Sequence, residues 1–222
     1  MAPIPRGFDG EAARRHLARR DRALGAWMRR IGPLEHDFSR PLHPVDALAR
    51  AILYQQLSGK AAATIVGRVE RAMGAKRFDA QAIARLDDDA LRGCGVSRNK
   101  IAALRDLAAK AIEGVVPTPR RLACMADAEI VEHLVQVRGI GRWTVEMMLM
   151  FRLGRPDVLP VHDLGVRKGA QVVRGLDAPP APRDLEALGE CWGPYRTLAS
   201  FYLWKIADAA QQTTVPTPRS QE

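Results

Sequence analysis

The spacing of apolar residues along the chain is helical almost from end to end. In the first long segment, residues 11–32, the apolar side chains recur at seven-, four- and three-residue spacing, at Leu17, Leu24, Met28 and Ile31. This spacing places them on one face of a helix, and Asp9 precedes the segment as a suitable N-cap. Because no stretch shows sustained alternation with a period of two, the sequence predicts an all-α protein.

Glycine, proline and capping residues divide the remaining chain into further predicted helices. Ser58 is the predicted N-cap, and Gly74 the predicted C-terminal stop, of the helix between them. The segment 144–154, TVEMMLMFRLG, is apolar on nearly every face and predicts a buried helix. The other predicted helices cover 44–57, 79–86, 88–95, 99–114, 127–137, 164–175 and 184–212. A linker is predicted at 177–184 and a frayed tail at 213–222.

The composition indicates a globular protein without a membrane span and with a polyanionic partner. The chain has 222 residues with 47% hydrophobic content, which is typical of a soluble globular protein. No apolar run reaches the ~20 residues of a membrane span, and residues 1–20 lack the apolar core of a signal peptide. We therefore expect a cytoplasmic protein without a membrane partner. The net charge of +9 favours a polyanionic partner, of which nucleic acid is the commonest, over a merely solvated basic surface.

Cysteine and histidine spacing predicts no cofactor and no catalytic metal. Cys94, Cys124 and Cys191 lie far apart and form neither a paired framework nor a Cys-x-x-Cys motif. The five histidines are dispersed, and no His-Glu-x-x-His motif is present. We therefore interpret the cysteines as reduced thiols.

The segment RGIGRWT, residues 138–144, lies between two predicted helices. Gly139 and Gly141 free the backbone of Cβ atoms, so it can turn through positive φ and approach another surface closely. Backbone amides at the following helix start attract anions. Together these features predict a helix–hairpin–helix that binds a DNA phosphate without reading sequence. The alternative is a tight turn between helices with no ligand. The residues predicted to contact DNA are Arg138, Gly139, Ile140, Gly141, Arg142 and Thr144.

Two further residues favour a catalytic interpretation over a simple turn. Trp143 is an aromatic residue inside the hairpin, and Asp163 follows it in the loop LPVHDLGVRKG. Asp163 is a predicted N-cap for the helix that begins at Leu164. Capping is compatible with chemistry, because it fixes the rotamer of a negatively charged side chain. His162 has no partner in the sequence pattern and is interpreted as a loop residue.

The segments LVQVRGIGRWTVEMMLMF and LPVHDLGVRKG resemble the helix–hairpin–helix (HhH-GPD) DNA glycosylases, and more narrowly the 3-methyladenine DNA glycosylase II family. Three further segments match that family in the right order: ILYQQLSGKAAATIVGRV, GVSRNKIAAL and CWGPYRTLASFYLW. The resemblance covers about residues 40–206. It implies a compact, two-lobed, all-helical fold with the active-site cleft between the lobes.

The resemblance also implies a domain organisation, in which residues 1–222 form a single glycosylase domain. Its N- and C-terminal helices lie at about 1–40 and 165–212, and its central lobe lies at about 41–120. These parts flank the helix–hairpin–helix and the catalytic loop, residues 127–169.

Roles for individual residues follow from the same resemblance. Asp163 corresponds to the catalytic aspartate of the family. Trp143 and Trp204 correspond to the tryptophans of the base pocket, and Tyr54 is expected to stack there too. The loop Gln55, Gln56 and Leu57 corresponds to the one that fills the gap left by an extruded base, with the choice between Gln56 and Leu57 open.

Further contacts are implied for the backbone and for a second segment. Ser97 and Lys100, in GVSRNKIAAL, are predicted to contact DNA. The backbone carbonyls of Val135, Val137 and Gly139 are predicted to hold a monovalent cation.

The resemblance implies hydrolysis of the N-glycosidic bond without strand cleavage. In bifunctional relatives a lysine occupies the hairpin position that Trp143 holds here. Ordinary glycosidases use two carboxyl groups, but 3-methyladenine and 7-methylguanine are cationic and leave as neutral bases. One carboxylate therefore suffices to stabilise the sugar cation and to orient water. The base must first be flipped out of the duplex.

The expected partner is double-stranded DNA containing alkylated bases, and the protein is expected to be a monomer. The sequence leaves open whether neutral adducts such as ethenoadenine are excised. A non-catalytic helix–hairpin–helix DNA-binding module would explain the charge and the glycines, but it leaves Asp163 and the tryptophans without a purpose. A bifunctional glycosylase/AP lyase is disfavoured by the missing hairpin lysine.

Overall fold

The computed structural model describes residues 7–38 and 41–214, so most of the tail predicted at 213–222 lies outside the described residues. Within these ranges the chain forms thirteen α-helices and one 3₁₀ helix, with no β-strand. The predicted all-α fold is confirmed. None of the helices in these ranges is both long enough and apolar enough to cross a membrane.

The described chain separates into two compact units, which we call the middle unit (41–153) and the terminal unit (7–38 and 154–214). The helices of the middle unit are α3 (Pro44–Tyr54), α4 (Gly59–Met73), α5 (Ala80–Arg85), α6 (Asp88–Gly93), α7 (Arg98–Ile112), α8 (Pro119–Leu122), α9 (Asp127–Leu134) and α10 (Arg142–Phe151). Those of the terminal unit are α1 (Gly10–Arg20), α2 (Arg22–Ile31), α11 (Leu164–Arg174), α12 (Pro182–Gly189), a 3₁₀ helix (Glu190–Trp192) and α13 (Arg196–Thr214).

The core of the middle unit forms where α3 packs against α4 and α7. Leu48 and Ile52 on α3 and Leu104 on α7 are fully or almost fully buried. Ser58 caps α4 through a hydrogen bond from the Ala61 amide, and Gly74 ends it in the left-handed conformation. Both of these predicted boundaries are confirmed.

In the terminal unit, α11 packs closely against α13. A Cβ atom added at Gly169 would lie 2.1 Å from the Leu203 carbonyl oxygen, so only glycine allows the two helices to come this near. Val166, Ala170 and Ile206 are buried in the same unit. This packing fixes the start of α11, where Asp163 lies.

The single helix predicted over 11–32 is wrong, because the chain breaks at Asp21. This residue is extended, with φ −136° and ψ 99°, and its side chain accepts the Leu24 amide at 3.0 Å to begin α2. The same carboxylate is buried and accepts Arg174 Nη2 at 2.6 Å and Trp192 Nε1 at 2.8 Å. These contacts from distant parts of the chain stabilise the break over a continuous helix.

The helix predicted over 184–212 is also divided. Helix α12 ends at Gly189, the 3₁₀ helix ends at Trp192, and α13 starts only at Arg196. Pro194 lies in this gap and has no amide hydrogen to continue a helical ladder.

Candidate functional site

Among the residues that the structure describes, two amides of the hairpin between α9 and α10 have no protein acceptor. Gly139 turns with φ +79°, and Gly141 is the N-cap of α10, which begins at Arg142. In the described part of the chain, the Gly139 and Gly141 amides donate no hydrogen bond to the protein, whereas the Ile140 amide donates to the Val137 carbonyl. Two free amides at the N-terminus of a helix form a site suited to an anion such as a phosphate.

Helix α7 braces this hairpin through Asp106. Its Oδ2 accepts the Arg138 amide at 2.7 Å, and Lys110 Nζ donates both to Asp106 and to the Gln136 carbonyl, the latter at 2.6 Å. Burial acts to raise the pKa of Asp106, but hydrogen bonds from Arg138 and Lys110 outweigh it and hold that pKa below its ordinary value. The hairpin backbone is thus anchored to α7 by the Asp106 carboxylate.

A second loop, residues 55–57, is attached to the hairpin. Gln55 Nε2 donates to the Gly139 carbonyl at 2.8 Å. Gln56 has φ +57°, the only non-glycine residue with positive φ in the described chain, and Leu57 is 39% exposed. A strained backbone is retained where the surroundings or the function require it, and this loop matches the segment predicted to fill the gap left by a base.

The ammonium of Lys100 binds the end of helix α3. It donates to the carbonyls of Leu53 at 2.7 Å and Gln55 at 2.8 Å, at the C-terminal end of α3. Burial lowers the pKa of Lys100. This lysine satisfies carbonyls that α3 leaves open, and its predicted contact with DNA stays a prediction. Ser97 is exposed at the N-cap of α7, where its side chain makes no capping bond, and its contact with DNA stays a prediction.

Two side chains of the hairpin make contacts within the protein, and the predicted DNA contacts of these residues stay predictions. Ile140 is only 4% exposed, so its apolar side chain belongs to the core and cannot itself contact DNA. The guanidinium of Arg142 bonds Glu146 Oε1 at 2.9 Å, and the side chain of Glu146 is 6% exposed. Arg142 therefore neutralises a buried carboxylate. Arg138 is exposed, and Thr144 lies on the wall of the adjacent cavity.

A cavity of about 650 Å³ lies within the middle unit, between α3 and α10. Tyr54, Trp143 and Phe151 line it and are 42%, 51% and 45% exposed, respectively. Large aromatic side chains are usually buried in a core. Three of them around one cavity form an apolar surface suited to a flat ring. Tyr54 and Trp143 were both predicted to lie in a base pocket, and both line this cavity. Phe151 was not predicted as a site residue, because its position at the end of an apolar helix resembles that of a core residue.

In the terminal unit, Asp163 begins α11. Its Oδ1 accepts the Val166 amide at 2.9 Å and the indole Nε1–H of Trp204 at 2.7 Å. The predicted N-cap is confirmed. The tryptophan was expected on the wall of a base pocket, and in the structure its N–H contacts the candidate catalytic carboxylate.

The cation site predicted at the carbonyls of Val135, Val137 and Gly139 stays a prediction. The Gly139 carbonyl accepts the side-chain amide of Gln55, the Val137 carbonyl accepts the Ile140 backbone amide, and each oxygen keeps a second lone pair. Among the described residues, no group of three or more His, Cys, Asp or Glu side chains could hold a metal ion. We assign no step of the reaction to an ion at the hairpin.

Comparison with known proteins identifies the relatives of this chain. The profile of the HhH-GPD family, described as HhH-GPD superfamily base excision DNA repair protein, matches residues 49–194. DNA-3-methyladenine glycosylase 1 of Schizosaccharomyces pombe is 37% identical over 177 residues, which cover 79% of this chain and 78% of that protein.

Solved structures give the same picture. The 3-methyladenine DNA glycosylase Mag1 of S. pombe, in complex with abasic DNA, is similar with a TM-score of 0.77 and 35% identity, over 87% of this chain and 95% of that one. A DNA-3-methyladenine glycosidase from Bacillus halodurans is similar with a TM-score of 0.83 and 34% identity, over 90% of this chain and 91% of that one.

Proposed function

Because the chain belongs to the HhH-GPD superfamily of base excision DNA repair proteins, we propose that it is a monofunctional DNA-3-methyladenine glycosylase. It hydrolyses the N-glycosidic bond of an alkylated purine in duplex DNA and leaves an abasic site. Two similar proteins bear this activity in their names. Both units are taken as parts of one glycosylase domain, because the family match at 49–194 includes residues of each.

The observation that carries the proposal is the Asp163 carboxylate held by two N–H donors on one oxygen. A cationic base such as 7-methylguanine departs as a neutral molecule and needs no acid to protonate it. The reaction then needs a fixed negative charge near the sugar as positive charge develops there. Asp163 supplies this charge and orients the attacking water.

The cavity of the middle unit is proposed to receive the flipped base. The rings of Tyr54 and Trp143 are exposed on its wall and can stack on a purine. A cationic ring over an aromatic face gains about 0.5–2 kcal/mol, which favours alkylated over normal purines. Since Trp143 occupies the hairpin position of the lyase lysine, the product is an unbroken strand with an abasic site.

DNA binding is assigned to the hairpin and to the loop attached to it. The free amides of Gly139 and Gly141 bind a backbone phosphate, and exposed Arg138 adds positive charge. The loop 55–57 enters the gap that the base leaves. The protein acts on double-stranded DNA as a monomer.

Release of free base from methylated duplex DNA tests the proposal. We expect release of 3-methyladenine and 7-methylguanine, strands that break only after alkaline treatment, and no adduct trapped by borohydride. DNA binding without base release would favour a non-catalytic binding module. A borohydride adduct that forms through a lysine would favour a bifunctional lyase.

A further inference from the structure

Trp204 makes a contact that a stacking wall does not need. Its indole Nε1–H donates to Asp163 Oδ1 at 2.7 Å, and the same oxygen accepts the Val166 amide at 2.9 Å. Hydrogen bonds to an ionised acceptor are short and about twice as strong as those between neutral groups. The indole is thus bound to the carboxylate that the proposed reaction uses.

The surroundings of the indole select this orientation. Phe201 stacks on Trp204 with ring centroids 6.0 Å apart and an interplanar angle of 30°, and His36 lies 4.0 Å from Phe201. A Cβ atom at Gly165 would lie 2.7 Å from Trp204 Cδ1 and 3.1 Å from Asp163 Oδ1. A side chain at position 165 would therefore force apart the two groups that share the hydrogen bond.

Two donors do more for a carboxylate than one. A single hydrogen bond from the Val166 amide to Oδ1 tolerates a range of rotation about the Cβ–Cγ bond, because hydrogen bonds accept a range of angles. A second donor to Oδ1 from a different helix, α13, narrows that range, and because the rotation moves both oxygens together, it also restrains Oδ2. Small errors in the placement of a reacting group cost large factors in rate.

We propose that Trp204 is a positioning residue, which sets the plane of the Asp163 carboxylate through its indole N–H, and that Gly165 is required to admit this contact. The inference rests on the proposed glycosylase function. It assigns Trp204 a role that differs from stacking on the base, since stacking needs the ring and positioning needs the N–H.

The substitution Trp204→Phe separates the two roles, because it keeps an aromatic ring and removes the donor. We measure single-turnover excision of 7-methylguanine from a defined duplex, together with affinity for the same duplex. The rate is expected to fall about ten- to hundredfold while the affinity stays unchanged. Trp27→Phe is the matched control: it makes the same replacement in the same unit, at a ring that packs beneath Arg30, and leaves the rate unchanged.

Gly165→Ala provides a second test that leaves Trp204 and Asp163 in place. It is expected to slow excision by a similar factor, and combining it with Trp204→Phe is expected to add little, because both remove one interaction. The ¹H–¹⁵N signal of the Trp204 indole, assigned from the Trp204→Phe spectrum, is expected to move in Asp163→Asn more than the other indole signals do.

The outcomes separate this inference from the function beneath it. Wild-type excision by Trp204→Phe, or equal losses of rate and affinity, would overturn the positioning role and leave the glycosylase assignment standing. A Trp204 indole signal that does not shift in Asp163→Asn would also overturn the positioning role. Wild-type protein that releases no base would overturn the proposed function and the positioning role together.

Discussion

The substitution Asp163→Asn separates the charge of the carboxylate from its geometry. Asparagine has the same shape and is as good an N-cap as aspartate. Its side-chain oxygen can accept both the Val166 amide and the Trp204 indole, which now meet Oδ1 at 2.9 and 2.7 Å. These two hydrogen bonds lose the extra strength that a charged acceptor gives, so the free energy of unfolding is expected to fall by about 1–3 kcal/mol.

The effect on rate is expected to be far larger. A unit negative charge about 4 Å from a developing positive charge is worth about 4 kcal/mol at an effective dielectric constant of about 20. That energy corresponds to about a thousandfold in rate. Because the charge acts on the transition state, affinity for lesion DNA is expected to stay near the wild-type value.

The assay is single-turnover release of 7-methylguanine, with chemical unfolding measured on the same samples. Asp87→Asn is the matched control, since Asp87 also caps a helix, α6, through the Ala90 amide but has no proposed role in chemistry. It is expected to leave the rate unchanged. Excision by Asp163→Asn within about tenfold of wild type would show that Asp163 is a helix cap and nothing more.

Three further predictions follow from the middle and terminal units. Trp143→Ala is expected to slow excision about ten- to hundredfold, because one stacked base contributes ~1–3 kcal/mol, while its affinity for undamaged duplex stays unchanged. Excision at the wild-type rate would show that this ring does not stack on the base. A Cβ at Gly141 would meet no protein atom within 4 Å, so the Gly141→Val protein is expected to fold normally. It is expected to bind abasic-site DNA more weakly than the wild type, and unchanged binding would show that the hairpin is a turn without a role in DNA binding. Asp21→Ala leaves Arg174 without its buried partner and is expected to lower the free energy of unfolding by about 3–5 kcal/mol. Asp79→Ala removes only a cap on α5 and costs about 1 kcal/mol, so similar losses in urea unfolding would contradict the role of the ion pair.

Local signals in the sequence predicted most of the helices and their ends. Ser58 and Gly74 bound α4 as their residue types indicate, because capping depends on a few neighbouring residues. The break at Asp21 could not be predicted in this way. The break is stabilised by Arg174, which lies 153 residues further along the chain. The spacing of apolar residues gives no information about partners so distant in sequence.

The candidate site shows the same division. Asp163 could be predicted from the sequence, because this position is both an N-cap and part of a motif. Its bond to Trp204 spans 41 residues and depends on how α11 packs against α13. Motif membership does not indicate side-chain direction: Ile140 lies within the hairpin motif, and its side chain is buried because the hairpin itself needs a core.

The use of one carboxylate both to begin α11 and to carry the proposed chemistry ties catalysis to local helix stability. First turns of helices open more readily than the whole protein unfolds. Each opening of the first turn of α11 would release the Val166 amide from Asp163 and misplace the reacting oxygen. On warming, such openings become frequent while the remaining helices are still intact. Loss of excision is therefore expected at temperatures where the far-ultraviolet circular dichroism of the protein has not yet changed.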